Sequence, residues 1–181
     1  MLDFTLPAAF ARLDSLEVRL CLPVHSVARF PLVRNYFAIV SRLGDGVAWY
    51  ALLAVLPLVT GSGAILPCLQ MALTGLAGVA IYKLLKHRLV RERPFHSHRG
   101  VRALVNPLDR YSFPSGHTLH AVSFTVMLAH YYPQLTWLVV PFAASVAVSR
   151  VVLGLHYPTD VLAGGLLGWL LAAGSLALFA A

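Results

Sequence analysis

Charge is what this sequence has least of. Of its 181 residues only 12% are Asp, Glu, Lys or Arg, against about 25% in an ordinary soluble domain, while 59% are hydrophobic. A water-covered surface on a chain this long needs many more charged groups, so lipid must cover much of the exterior. The same composition excludes disorder. Acid is the scarcer sign, with 7 Asp+Glu against 14 Lys+Arg. In the largest polar stretch Glu92 and Asp109 are the only carboxylates, too few to cage a hard cation. No metal or other cofactor is expected. Two cysteines, Cys21 and Cys68, exclude a disulfide framework and read as packing residues. The N-terminus lacks a basic start followed by an apolar run, so it does not read as a cleaved signal and the mature chain is expected to begin near Met1.

What is present is long uncharged tracts. No Asp, Glu, Lys or Arg lies between Asp45 and Lys83, between Arg110 and Arg150, or after Asp160. A spanning helix needs about 20 mostly apolar residues, so these tracts make a polytopic membrane protein. Gly61-Ser62-Gly63 divides the first tract into helices over Gly46–Thr60 and Ala64–Leu85. Pro133-Gln134 divides the second into His117–Tyr132 and Leu135–Leu153, and a fifth helix starts at Pro158. The fold class is therefore all-α, a helix bundle with about five transmembrane helices. Small residues such as Thr74-Gly75-Leu76-Ala77-Gly78 and Ala163-Gly164-Gly165 suit close helix packing in lipid. Residues 1–42 form a separate N-terminal segment ahead of a membrane-embedded domain over 43–181. Within it, positions 10–42 alternate apolar and basic residues, as expected of amphipathic helices lying at the interface with arginines at lipid phosphates.

Alternating spans bring four helix ends to one membrane face. The second ends in Lys86-His87-Arg88-Leu89-Val90-Arg91-Glu92-Arg93-Pro94; the third opens with Pro114-Ser115-Gly116-His117; the fourth closes on Ser149-Arg150, followed by His156 and Asp160. An ionisable group such as Arg150 at the end of a long apolar tract is costly without a partner or a task. Any one of these cations reads as a snorkelling or topology-setting residue. Lys86, Arg93 and Arg150 together, beside two histidines, call for a multivalent anion, and phosphate fits guanidinium groups best. Ser115 is a good N-cap, Gly116 lets the backbone approach a ligand, and helix N-termini of this kind bind anions. Asp160, four residues after His156, can reach back to its ring and fix its tautomer. His96 and His98 are a weak metal pair, and His120 and His130 read as interior or interfacial polar residues.

Lys86-x6-Arg93-Pro94, Pro114-Ser115-Gly116-His117 and Ser149-Arg150-x5-His156-x3-Asp160 resemble, complete and in order, the three-part signature of the type 2 phosphatidic acid phosphatases, a family related to glucose-6-phosphatase and the vanadium haloperoxidases. The resemblance covers residues 86–160 and leaves 1–45 outside. Five spans, against the six common among family lipid phosphatases, depart from the pattern at the N-terminus. It implies that His156 attacks phosphorus to form a phosphohistidine, with Asp160 orienting it. His117 would protonate the leaving oxygen and then take a proton from water. Lys86, Arg93, Arg150, Ser115 and the Gly116 N–H would hold the phosphoryl oxygens. Phosphoryl transfer needs chiefly positioning and charge neutralisation, which three fixed cations can supply without a metal.

A site at the membrane face, with little soluble structure to enclose a ligand, implies an amphiphilic substrate. Undecaprenyl pyrophosphate, phosphatidylglycerophosphate and phosphatidic acid all qualify, and the small size resembles bacterial members, so a bacterial inner membrane is expected. The partners are then lipid phosphate and the bilayer, with no nucleic acid. In the five-span arrangement the basic residues all fall on the active-site side, which by the positive-inside rule faces the cytoplasm, whereas bacterial members of the family commonly face the periplasm. An activity reporter fused at Ala181 separates the two, since a cytoplasmic site requires that terminus in the periplasm. The sequence admits two other readings. One is a phosphotransferase passing the group from His156 to an alcohol; the other is a cluster that binds anionic lipid or conducts an anion, in which case His156→Ala changes nothing.

Overall fold

In a computed structural model the protein is described over residues 6–179. The chain start at Met1 and the end at Ala181 lie outside the described residues. Every regular element described is a helix: α1 (Leu6–Ser26), α2 (Pro31–Arg42), α3 (Ala48–Thr60), α4 (Ile65–Leu89), a short α5 (Pro94–Ser97), α6 (Gly116–Tyr131), α7 (Thr136–Val152) and α8 (Pro158–Phe179). Four stretches have the length and apolar composition of membrane spans: Pro31–Thr60, Ser62–Ser97, Pro133–Val152 and Pro158–Phe179. Leu58, Leu76, Trp137, Leu162 and Leu178 on these stretches are exposed, as lipid-facing side chains are. The chain is an integral membrane helix bundle.

The first span differs from its expected start at Gly46. Helical structure begins at Pro31 and runs through a π-helical turn over Leu43–Val47 that kinks at Gly46, where φ is 127°. The helix bends there instead of starting because Gly44-Asp45-Gly46 tolerates an irregular turn, and because Gly44 seats that turn against Val146 of α7. The expected third span, α6, is shorter than the others. Its 16 residues extend about 24 Å at 1.5 Å per residue, less than the roughly 30 Å hydrocarbon core. It is also the central helix, packed on α4, α7 and most extensively on α8. Protein rather than lipid surrounds it, so a short helix suffices, and its N-terminus opens inside the bundle.

Close approach of backbones explains the tight α6–α8 pair. A Cβ at Gly168 would stand 2.3 Å from the Leu119 carbonyl oxygen, and one at Gly164 2.4 Å from that of Ser115. Small residues replace the hydrophobic drive that lipid cannot supply between helices. Away from the site, Gln70 donates to the Ser175 carbonyl and hydroxyl oxygens, both at 3.0 Å, Thr74 donates to the Ser175 hydroxyl at 2.9 Å, and Tyr131 donates to Gln70. This polar knot ties α4, α6 and α8 together. Trp49 of α3 stacks on Phe124 of α6 with ring centroids 5.1 Å apart.

α1 lies against α5, α7 and α8. His25 near its end contacts the Val152 carbonyl at 2.9 Å and accepts from the Arg102 N–H at 3.3 Å, fixing the helix beneath the polar loop that follows α5.

Gly168→Val is expected to lower thermal stability in detergent by about 1–3 kcal/mol, because the added side chain must part α6 from α8. Gly174→Ala, where a Cβ meets nothing within 4 Å, is the control and is expected to be neutral or stabilising by up to about 1 kcal/mol. Equal melting temperatures for both variants would remove the close-packing account.

Candidate active site

Three helix ends and one turn build the site. α4 ends at Val90, which sits in the left-handed region with φ 46° and ψ 49°. That conformation costs a β-branched residue about 1–3 kcal/mol, and it turns the chain so that Arg91 and Arg93 both enter the protein. Both are buried, as are Lys86 and Arg150. After α7 the chain reverses at Gly154, where φ is 74° and a Cβ would stand 2.5 Å from the Arg102 carbonyl oxygen. This turn brings His156 back beside Arg150, whose carbonyl accepts the His156 N–H at 3.1 Å. Ser115 caps α6, accepting from the Thr118 N–H at 3.4 Å, and donates its own N–H to the Asp160 carbonyl at 3.0 Å.

The result is a cavity of about 470 Å³ with two chemically different ends. Lys86, Arg93, Arg150, Gly116, His117 and His156 line the polar end; Trp49, Leu53, Leu76, Val79 and Phe124 line the apolar end, between α3, α4 and α6. A Cβ at Gly116 would stand 3.2 Å from the Tyr82 ring, so a side chain fits at the rim only where that ring yields. Two of the residues singled out from the sequence do not line the cavity. Ser115 spends its hydroxyl on the α6 cap and on Thr118, and Asp160 stands behind His156.

Hydrogen bonding sets the direction of the His156 ring. Its Nε2 is 3.3 Å from Nη1 of Arg93, which also donates to the Leu155 carbonyl at 2.8 Å. A guanidinium only donates, so Nε2 presents its lone pair and the proton sits on Nδ1. Nδ1 faces Asp160 Oδ2 at 3.4 Å, longer than a hydrogen bond, and has no other partner among the described residues. The ring is thus neutral, with its basic nitrogen at the cavity and its N–H toward a carboxylate. Burial, and then the positive charges of Arg93, Arg150 and Lys86, hold its pKa well below the ordinary 6.5.

The cations are partly neutralised from within the chain. Asp109 Oδ1 accepts from Lys86 Nζ at 2.7 Å and from Arg93 Nη2 at 2.6 Å. Arg150 donates to the Ser41 hydroxyl, and its buried Nε has no partner among the described residues. An unpaired charged donor at a cavity wall is stabilised by an anion bound there. Across the cavity, Nε2 of His117 is 3.5 Å from Oδ1 of Asp45, the acid in the α2–α3 kink. Among the described residues no group of three or more His, Cys, Asp or Glu is placed to hold a metal ion.

Asp45 and Asp109 line the cavity without having been singled out for the site in the sequence, and Arg91 is buried beside the site but outside the cavity. The acid between two glycines at the edge of an apolar tract was the signal for Asp45. Asp109 stood out as one of two loop carboxylates, without any indication of which cations it meets. Nothing in the sequence distinguished Arg91 from its basic neighbours.

The profile of the PAP2 superfamily matches residues 63–181. The chain belongs to the PAP2 superfamily. The undecaprenyl-diphosphatase BcrC of Bacillus subtilis is 34% identical over 94 residues, 52% of this chain and 48% of that protein. The chain thus spans about half the length of that curated relative. Two solved PAP2-type folds extend further. The crystal structure of a transmembrane PAP2-type phosphatidylglycerolphosphate phosphatase from Bacillus subtilis superposes with a TM-score of 0.72 at 25% identity, over 96% of this chain and 93% of the other. LpxE of Aquifex aeolicus superposes with a TM-score of 0.77 at 27% identity, over 90% and 95%.

A depressed His156 pKa is also a stability statement. Below about pH 6.5 the unfolded chain takes a proton on this ring while the folded protein does not, so stability falls as pH falls through that value. The unfolding free energy of the wild type, read from melting curves, is expected to fall more steeply from about pH 7 to about pH 5 than that of His156→Gln, by up to about 1.4 kcal/mol per pH unit. Parallel curves would mean that the ring is not held neutral.

Proposed function

We propose that this PAP2 protein is a membrane lipid phosphatase that hydrolyses a phosphomonoester or pyrophosphate of a lipid through a phosphohistidine, without a metal. The observation that carries the reading is the cavity itself. One end joins two imidazoles to three buried cations, and the other end is apolar and continuous with it. A phosphate at the first and a hydrocarbon chain at the second describe an amphiphile. Residues 43–181 carry the catalytic groups, the part of 1–42 ahead of the Pro31–Thr60 stretch forms the amphipathic segment at the active-site face, and the setting is a bacterial inner membrane.

The geometry supports the following sequence. Lys86, Arg93 and Arg150 take the non-bridging oxygens, with phosphate replacing the half-exposed Asp109 as their counter-ion and the N–H groups at the start of α6 adding to the field. The Nε2 lone pair of His156 attacks phosphorus, and the P–O bond to the lipid breaks. His117, whose Nε2 stands 3.5 Å from Oδ1 of Asp45, gives a proton to the departing oxygen. The positive charge that develops on His156 draws Nδ1–H toward Asp160. Water then attacks the phosphohistidine and gives a proton to His117, and the P–N bond breaks to release phosphate. Ser115 acts by holding the α6 N-terminus in place.

Undecaprenyl pyrophosphate, phosphatidylglycerophosphate and phosphatidic acid all fit this chemistry. The named relatives include an undecaprenyl-diphosphatase and a phosphatidylglycerolphosphate phosphatase, which favours the first two.

The test is phosphate release by purified protein from a panel of lipid phosphates, in EDTA, with wild type and His156→Ala in parallel. Wild-type turnover is expected to persist in chelator and to be blocked by vanadate. His156→Ala is expected to lose at least about 10³-fold in kcat while keeping its melting temperature. Undiminished His156→Ala activity, or loss of wild-type activity in EDTA, would overturn the reading. Adding a lipid alcohol separates hydrolase from transferase: water as acceptor leaves phosphate release unchanged, whereas transfer diverts the group to the alcohol.

A further inference from the structure

Arg91 lies within the Lys86-to-Arg93 interval, yet it turns away from the cavity and has no place in the chemistry just described. It is fully buried, and its five N–H donors are all engaged. Nε and Nη2 donate to Asp14 Oδ1 at 2.9 and 2.6 Å, and Nη2 also donates to Glu17 Oε2 at 2.5 Å. Nη1 donates to the Thr159 hydroxyl at 2.7 Å and to Asp160 Oδ1 at 2.6 Å. The guanidinium lies over the Tyr157 ring at 4.2 Å and near Phe10 of α1 at 5.0 Å. Glu17 completes the frame from α1: its Oε1 accepts the Thr159 N–H at 2.7 Å and its Oε2 the Thr159 hydroxyl at 2.6 Å.

Asp160 therefore has two oxygens with two tasks. Oδ1 is held by Arg91. Oδ2 accepts the Tyr157 N–H at 2.9 Å and faces Nδ1 of His156 at 3.4 Å. With Oδ1 fixed by a charged hydrogen bond, the carboxylate plane cannot rotate, and Oδ2 stays aimed at the ring. A planar guanidinium engaged on several sides suits such a role, because it orients its acceptor as well as attracting it. Arg91 in turn is fixed by two carboxylates from α1, a helix outside the residues that resemble the family signature.

We propose that Arg91, locked by Asp14 and Glu17 of α1, is a positioning residue that acts through Asp160 on the nucleophile His156, so that docking of the N-terminal helix completes the active site. The inference rests on the reading of His156 as the nucleophile. Its chemical content is a fixed orientation and charge for Asp160; Arg91 touches neither substrate nor phosphate. Removing it is expected to slow formation of the phosphoenzyme and to leave substrate binding unchanged.

A double-mutant cycle on the full-length protein in detergent, with radiolabelled lipid phosphate, tests this. Arg91→Gln is expected to lower kcat by about 10- to 100-fold with KM within about twofold of wild type, the scale on which partners of a reacting group act. In the Asp160→Asn background the same substitution is expected to change kcat by less than about twofold, because its effect passes through the carboxylate already removed. Glu17→Gln, which keeps the shape of the frame, is expected to show a smaller kcat loss that likewise vanishes in Asp160→Asn. If Arg91→Gln does not fold, Arg91→Lys and Glu17→Gln carry the same cycle. Multiplying losses, a rise in KM alone, or wild-type kcat in Arg91→Gln would each overturn the inference. Full activity of His156→Ala and Asp160→Asn would instead overturn the underlying mechanism, so the two failures are distinguishable.

Discussion

Positive charge buried inside a lipid-covered bundle is the constraint to which the rest of this structure answers. Each buried ion costs several kcal/mol of lost hydration, and four basic side chains, Lys86, Arg91, Arg93 and Arg150, are almost fully out of solvent. The protein divides them into two groups. Arg91 is enclosed by carboxylates and hydroxyls and is satisfied within the chain. Lys86 and Arg93 share one oxygen of the half-exposed Asp109, and Arg150 keeps a buried donor without a partner among the described residues. The first group is structural chemistry closed on itself. The second is incomplete, and a phosphate would complete it.

The same division explains why the two faces of His156 differ. Toward the cavity it meets Arg93 and presents a lone pair; on the other side it meets Asp160, behind which stands the saturated Arg91 cluster. A neutral, oriented imidazole among cations costs little to maintain, because a depressed pKa keeps it unprotonated. A phosphate dianion entering that field lowers the cost of the positive charge the ring acquires on attack. Helix packing serves this end: the close α6–α8 contact through Gly164 and Gly168 joins the segment carrying Ser115, Gly116 and His117 to the one carrying Asp160, and the Ser115 N–H bonds directly to the Asp160 carbonyl.

Much of this was legible in the sequence because lipid imposes simple rules. Uncharged tracts bounded by Gly-Ser-Gly and Pro-Gln marked helices that the structure contains, with ends shifted by a few residues except at the start of the first span. The ends of four of them carry Lys86, Arg93, His117, Arg150 and His156, and these residues line one cavity. What could not be read is what depends on side-chain direction. Arg91 and Arg93 are two positions apart, and only the left-handed Val90 and the path after it determine which one faces the cavity. Asp14 and Glu17 looked like part of an amphipathic surface helix, because their partner is 74 or more residues away in sequence. The start of the first span is not readable from the sequence, because apolar periodicity does not distinguish a helix that begins at Gly46 from one that bends there. At Ser115 an N-cap and an anion ligand have the same sequence signature, and in the structure its hydroxyl caps α6.

The central claim is that a covalent bond forms between phosphorus and Nε2 of His156. Rapid mixing with lipid substrate labelled in the transferred phosphoryl group, followed by an alkaline quench that preserves phosphohistidine and by peptide mapping, tests it directly. The account predicts label on the peptide containing His156, formed and lost at rates that match turnover. Turnover with no labelled protein, or label on a different side chain, would contradict it.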